Sequence, residues 1–263
     1  MLNDVIEGGT KRPVFTPALC VDTDVYTRNV RSALDRKLPG LVHCKPHGHV
    51  LSIAGGGPSI ENTYKQMDGY IVGVNGSAQW LMDKGIKPYA CGLLDPRPHI
   101  ADTIVKDKGV RYFVSTTCAP EVYDKLEGYA VTTFTPSGIP EVVEEAQKAD
   151  PDGWLTIGGG ATMGLRWVVL GYMLGFRHFK LHGMDSSFAD TSHVYPDHKD
   201  EDKRGWFKSR GRWTSVDMLA QVAEFFETLE MFEREPIKIE VFGEGLLQDA
   251  WAVYRRGHPR RFT

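Results

Sequence analysis

Residues 49–67 read HVLSIAGGGPSIENTYKQM: an apolar run, three glycines, then a helical pattern. Residues 154–176, WLTIGGGATMGLRWVVLGYMLGF, repeat that grammar a hundred residues later. Glycines after a strand let the backbone approach a ligand, and the helix that follows offers unpaired N–H groups to an anion. The same alternation recurs along the chain. Strands are expected at 49–54, 70–74, 90–94, 111–115, 130–135, 155–157, 178–181 and 237–242. Helices are expected at 59–67, 77–84, 120–126, 140–148, 161–174 and 215–232. Most of the strand segments are apolar on both faces, as parallel strands covered by helices must be. The pattern predicts an α/β, Rossmann-like, doubly wound and mostly parallel sheet with helices on both faces, in a single domain.

With 263 residues and 41% hydrophobic content, the chain can bury one large core. A net charge of −3 gives no global pull toward nucleic acid or membrane. The longest apolar stretch, residues 167–176, is too short for a membrane span, and the first residues, MLNDVIEGGTKRP, lack the apolar core of a signal peptide. Four cysteines without CxxC spacing suit a reduced, cytoplasmic protein. The expected organisation is an N-terminal extension packed on the sheet (1–47), a nucleotide-binding transferase domain (48–253) with a polar lid inserted at 186–213, and a basic tail (254–263). A homo-oligomer is compatible with this reading, and the sequence sets no stoichiometry.

Ligands of open α/β sheets bind at the carboxyl ends of the strands. The loops expected there are rich in small and polar residues. The first carries Gly55, Gly56, Gly57, Pro58 and Ser59, with the proline and serine where a helix begins. It is neither a full dinucleotide fingerprint, since Ile60 stands at the third glycine position, nor a Walker A loop. A tight turn that binds nothing is the competing account. Asn75 and Gly76 follow the second strand, and an amide there suits a base or ribose. Asp95 ends the third strand, ahead of Pro96, Arg97 and Pro98. Its carboxylate would orient a substrate hydroxyl or simply pair with Arg97.

The ordered motifs GGGPSI (55–60), VNGSAQWLMDKGIKP (74–88), LLDPRP (93–98) and GGGATMGLRWVVLGYMLGFRHFKLHGMDSSF (158–188) resemble the DUF115 group. That group takes in flagellin-associated motility accessory factors and archaeal 6-hydroxymethylpterin diphosphokinase-like domains. The chain is also similar to the bacterial sialyltransferases of glycosyltransferase family 42, through DTSHVYPDH (190–198) and IKIEVFGEGLLQDAWAV (237–253). The sialyltransferase resemblance implies that Gly55, Gly57, Pro58, Ser59 and Asn75 hold the nucleotide, that Gly159, Gly160 and Thr162 line it, and that Asp185 ends the following strand. It implies a histidine base, His198 first and His193 second, because the Ser-His run here is one residue longer than the family's. The family's phosphate-binding tyrosines are replaced by Ser186, Ser187 and Phe188, which leaves Tyr195, Arg97 or the basic segment for that task.

The basic segment, KRGWFKSRGRW (203–213), interleaves Arg204, Arg210 and Arg212 with Trp206, Phe207 and Trp213. Such a mixture grips phosphodiester chains or anionic sugars, and is equally a solvated surface or an oligomer contact. His43, Cys44, His47 and His49 cluster without a matching ligand pair, so no metal centre is expected from them.

The leading expectation is a glycosyltransferase that moves a sugar from a nucleotide-linked donor, CMP- or nucleoside-diphosphate-linked, to a hydroxyl acceptor, which could be a glycan, a polynucleotide or another anion. It would need no metal or other cofactor. The alternatives are pyrophosphoryl transfer from Mg-ATP to a pterin-like alcohol, which would rest on Asp95 and Mg²⁺, and a nucleotide- or nucleic-acid-binding module without turnover. Against the first alternative, one carboxylate at LLDPRP is a poor metal–triphosphate site.

Overall fold

The structure, a computed structural model, describes residues 19–149, 156–189, 194 and 206–263. Eight strands form one parallel sheet: β1 (Val50–Ala54), β2 (Tyr70–Val74), β3 (Ala90–Leu93), β4 (Arg111–Ser115), β5 (Ala130–Pro136), β6 (Thr156–Ile157), β7 (His178–His182) and β10 (Lys238–Val241). Their spatial order is β10-β7-β1-β2-β3-β4-β5-β6. From β1 the chain walks outward to β6, then returns across the sheet to place β7 on the other side of β1. The order therefore reverses between β1 and β7, and ligands of such sheets bind outside that point.

Strand alternation sends side chains into two layers. Along β4, Tyr112 and Val114 join one buried cluster while Phe113 joins the other. The first layer is closed by α1 (Thr23–Asp35), α4 (Pro120–Lys125) and a 3₁₀ turn at Pro98–Thr103; the short α2 (Ile60–Thr63) and α3 (Ser77–Asp83) extend it over β1 and β2. The second is closed by α6 (Met163–Met173), α7 (Val216–Met231) and α8 (Leu246–Gly257). Helix α6 lies against the middle of the sheet: a Cβ on Gly92 of β3 would stand 2.2 Å from the Trp167 ring nitrogen. The doubly wound α/β sheet expected from the glycine-led alternation is the observed fold.

Three departures matter for the site. Helix α1 was not foreseen within the N-terminal extension. It buries Tyr26, Val30 and Ala33, and packs beside α5 (Pro140–Ala149) and α4. Asn29, 5% exposed, donates both amide hydrogens to the loops beyond β3 and β4, to Pro96 O at 3.1 Å and Thr117 O at 2.8 Å. The basic segment contains a hairpin, β8 (Phe207–Ser209) and β9 (Arg212–Thr214). Arg210 (φ 50°) and Gly211 (φ 79°) make its two-residue turn, and positive φ at both positions is what such hairpins require. The expected tail is largely the end of α8 and a fold-back: Phe262 is buried, its carbonyl accepts from Ile239 N, and Arg261 pairs with Glu233. No described helix is long and apolar enough to cross a membrane.

Asn29 offers a clean test of how the extension is fastened. Asn29→Ala leaves two carbonyls without their donor, at a cost of about 1–3 kcal/mol. Urea unfolding should show that loss with an unchanged m-value. A variant as stable as the wild type would mean that α1 is held by apolar packing alone.

Candidate functional site

A cavity of about 1110 Å³ opens at the carboxyl edge of the sheet. Its floor is the place where the turns after β1 and β7 cross. Gly55 N donates to His182 O at 2.8 Å and Gly57 N to Gly183 O at 2.7 Å. A Cβ on Gly55 would sit 2.3 Å from Gly183 O, so the crossing admits only glycine there. The Asp185 carboxylate then seals it, accepting from Ser59 N at 2.8 Å and Ser59 Oγ at 2.5 Å. Burial pushes the Asp185 pKa up to about 6, although the two Ser59 bonds pull it down. Both side chains expected at the nucleotide are thus spent on each other. Gly55, Gly56, Gly57 and Asp185 line the cavity, whereas Pro58 and Ser59 stand behind it.

Asn75 also lines the cavity, in the left-handed region at φ 48°, which asparagine tolerates better than most residues. Its Oδ1 is buried with no hydrogen-bond partner among the described residues. Gly76 is off the wall. Asp95 is on it, but both its oxygens hold Arg97, at 2.9 Å from Nε and 2.5 Å from Nη2. Arg97 itself stands outside the lining and serves as the carboxylate's partner.

The second glycine turn forms the opposite wall. Gly159 and Gly160 have φ of 105° and 81°, and Thr162 caps α6 by accepting from Leu165 N. Arg166, buried in the first turn of α6, reaches back to the carbonyls of Ile157, Gly158 and Gly160. Glu224 of α7 accepts from Ala161 N at 3.0 Å. Burial lowers the Arg166 pKa to about 10 and raises that of Glu224.

The hairpin closes a third side. Phe188 N donates to Trp213 O at 2.7 Å, and the Trp206 ring stacks on Phe188 with centroids 3.6 Å apart, on the cavity wall. Arg212 is tied to Asp249 of α8 at 2.5 Å. Arg210 lies at the hairpin turn, away from the wall. His193, His198, Tyr195 and Arg204 fall outside the described residues. Val194 does not: its N–H donates to Gly56 O at 2.9 Å, and its side chain joins the Ile60–Trp80–Leu81 cluster. The residue between His193 and Tyr195 is therefore fastened to the first glycine turn.

Sequence reasoning missed two walls. Tyr26, in the first turn of α1, and Cys20, just ahead of that helix, lie 3.2 Å apart, and Asp217, Gln221 and Glu224 come from one face of α7. The i, i+4, i+7 polar spacing at 217, 221 and 224, within the largely apolar first half of α7, was the available signal. The described lining carries carboxylates at Asp95, Glu141, Asp185, Asp217 and Glu224, against one cation, Arg166. Among the described residues no group of three His, Cys, Asp or Glu side chains is placed to hold a metal ion.

Asp185 sets a pH signature. Its folded pKa is raised from 3.8 to about 6, so its charged form is disfavoured in the native state and the stability it contributes is lost as pH rises from about 4 to 6. Asp185→Asn removes that loss. Its stability relative to wild type should rise by up to about 3 kcal/mol between pH 4 and pH 7. Urea unfolding at the two pH values reads it, and a pH-independent difference would contradict the assignment.

Comparison with known proteins places this geometry. The family model described as 6-hydroxymethylpterin diphosphokinase MptE-like matches residues 25–191. No curated protein matches. Among solved structures, the MAf glycosyltransferase of Magnetospirillum magneticum AMB-1 is similar over 84% of this chain and 37% of that one, at 18% identity and a TM-score of 0.62. The chain thus spans little more than a third of that protein, and the likeness is one of fold. The monofunctional α-2,3-sialyltransferase Cst-I of Campylobacter jejuni aligns over 78% of this chain and 80% of that one, at 18% identity and a TM-score of 0.42. On the family match, which covers well over half of its residues, the chain belongs to the 6-hydroxymethylpterin diphosphokinase MptE-like family.

Proposed function

We propose that the cavity binds a nucleotide-linked sugar and that the protein is a glycosyltransferase. The observation that carries this reading is the crossing of two glycine turns at the point where strand order reverses, opening on a cavity whose lining includes Asn75. The fold shared with a glycosyltransferase agrees with it.

The wall charge narrows the donor. In the described lining five carboxylates, one of them paired with Arg97, stand against one guanidinium, an excess of negative charge that repels a polyphosphate, whose own charge grows with each phosphate. A sugar carried on a nucleoside monophosphate suits this cavity better than a diphosphate-linked one, and far better than ATP. Mg²⁺ would offset the repulsion, and in the pyrophosphoryl-transfer alternative it would rest on Asp95, whose two oxygens are held by Arg97.

In this reading an acceptor hydroxyl attacks the anomeric carbon, the bond to phosphate breaks with its electron pair on the leaving oxygen, and a histidine takes the acceptor's proton. His198 is the first candidate and His193 the second; Val194, the neighbour of His193, donates its N–H to Gly56 O. The positive end of α6 and Arg166 supply the favourable field for the departing phosphate. Four free cysteines agree with a reducing, cytoplasmic setting.

The family's description supports a second reading, pyrophosphoryl transfer from Mg-ATP. One set of measurements separates the two. A thermal-shift panel of CMP, UDP, GDP, ADP and ATP should stabilise most with the monophosphate, by about 2.7 kcal/mol at a hundred times its Kd. Binding should survive excess EDTA. ATP binding that vanishes with chelator would favour the diphosphokinase. His198→Ala or His193→Ala should lower transfer at least a hundredfold with donor affinity kept; full activity in both variants would rule out the histidine base.

A further inference from the structure

The second glycine turn is braced from two sides by the side chains of Arg166 and Glu224. From the sheet side, the Arg166 guanidinium donates through Nη1 to Ile157 O and Gly158 O, and through Nη2 to Gly160 O. From the α7 side, Glu224 Oε2 accepts from Ala161 N at 3.0 Å, and Gly160 is so close to that carboxylate that a Cβ on it would stand 2.8 Å from Oε2. The turn runs from residue 157 to residue 161, and four of those five residues have a main-chain polar group in the brace.

Geometry separates this from ligand binding. Arg166 is 4% exposed although it belongs to the cavity wall, and the three hydrogen-bond acceptors found for it are all main-chain carbonyls. A planar fork with several fixed donors can span three carbonyls at once, whereas an ammonium group cannot hold them in one plane. Gly159 and Gly160, both at positive φ, have no side chains of their own to restrict the turn. Without the brace, the loop with the greatest backbone freedom on the wall would be set by nothing but its two ends.

We propose that Arg166 and Glu224 are positioning residues: together they fix the second glycine turn in the shape that receives the donor nucleotide, without touching the nucleotide themselves. This inference rests on the nucleotide reading of the cavity. It assigns Glu224 a structural bond to the turn rather than the role of a base, and it makes the Arg166 charge a fixture of the wall.

The test uses the full chain, CMP as the probe and isothermal titration as the readout. Arg166→Lys keeps the charge and loses the fork; its Kd for CMP should rise at least tenfold, with faster amide exchange across residues 157–165. Leu126→Ala, in the buried cluster behind the sheet, lowers the Tm without reaching the turn and should leave the Kd unchanged. Glu224→Ala should weaken CMP binding, whereas Glu224→Gln, which keeps an oxygen for Ala161 N, should restore it. A wild-type Kd in Arg166→Lys overturns the inference while leaving the nucleotide reading standing. So does equal weakening in both Glu224 variants, because that would mean the carboxylate charge meets the ligand. A wild type that binds no nucleotide overturns the reading itself, and the inference with it.

Discussion

The site depends on a close approach of two backbones. The turns after β1 and β7 exchange hydrogen bonds from Gly55 and Gly57 to His182 and Gly183, at a separation that excludes a Cβ on Gly55. Everything around the cavity is built outward from that contact. Ser59 and Asp185 lock the turns together, and Gly245 brings the start of α8 against the Asp185 backbone, where a Cβ would lie 2.3 Å from its carbonyl oxygen. Val194, next in sequence to the candidate base His193, hangs from Gly56. A serine and an aspartate in such loops invite a ligand role, yet here their polar atoms satisfy each other in a place where an unpaired carboxylate would be costly.

That crossing also stores opposed electrostatic tendencies at the end of β7. His182 is fully buried, its ring stacked on Phe242 with centroids 4.4 Å apart, and burial lowers its pKa to about 4. The stability it contributes as a neutral ring is lost as pH falls from about 6.5 toward 4. Asp185, three residues on, loses its contribution as pH rises through nearly the same window. The two slopes have opposite sign, so the strand end is buffered against pH although each group alone would make it sensitive.

The architecture was legible because its signals are local. Both-face apolar strands, glycine exits and helical spacing mark each βα unit, and the strand boundaries at 70–74 and 111–115 agree with the structure to the residue. The site was only half legible. Motif order placed Gly55, Asn75, Asp95 and Gly159 on one sheet edge, as observed. What it could not show is which polar atoms are already spent, because Ser59 meets Asp185 across 126 residues and Arg97 turns back on Asp95. Nor could it show that α1 and α7 wall the cavity, since helices outside the βα run are attached by tertiary contacts such as those of Asn29, which no short pattern encodes. The basic segment misled for a related reason: charge density drew attention to Arg210 and Arg212, while the hairpin seats Trp206 on the wall and gives Arg212 to Asp249.

The two glycine triplets, alike in sequence, answer different constraints. In the first, glycine is needed because another backbone lies where a side chain would go, and Gly55 and Gly57 need no unusual φ to meet it. In the second, glycine is needed because the backbone takes positive φ at Gly159 and Gly160, and the neighbours that crowd them are mostly side chains. A backbone crossing is rigid by itself. A left-handed turn is not, and it holds its shape only if something else satisfies its carbonyls. The buried guanidinium in the first turn of α6 meets that need, which is why a cation can be tolerated at a wall whose other charged groups, among the described residues, are all acidic.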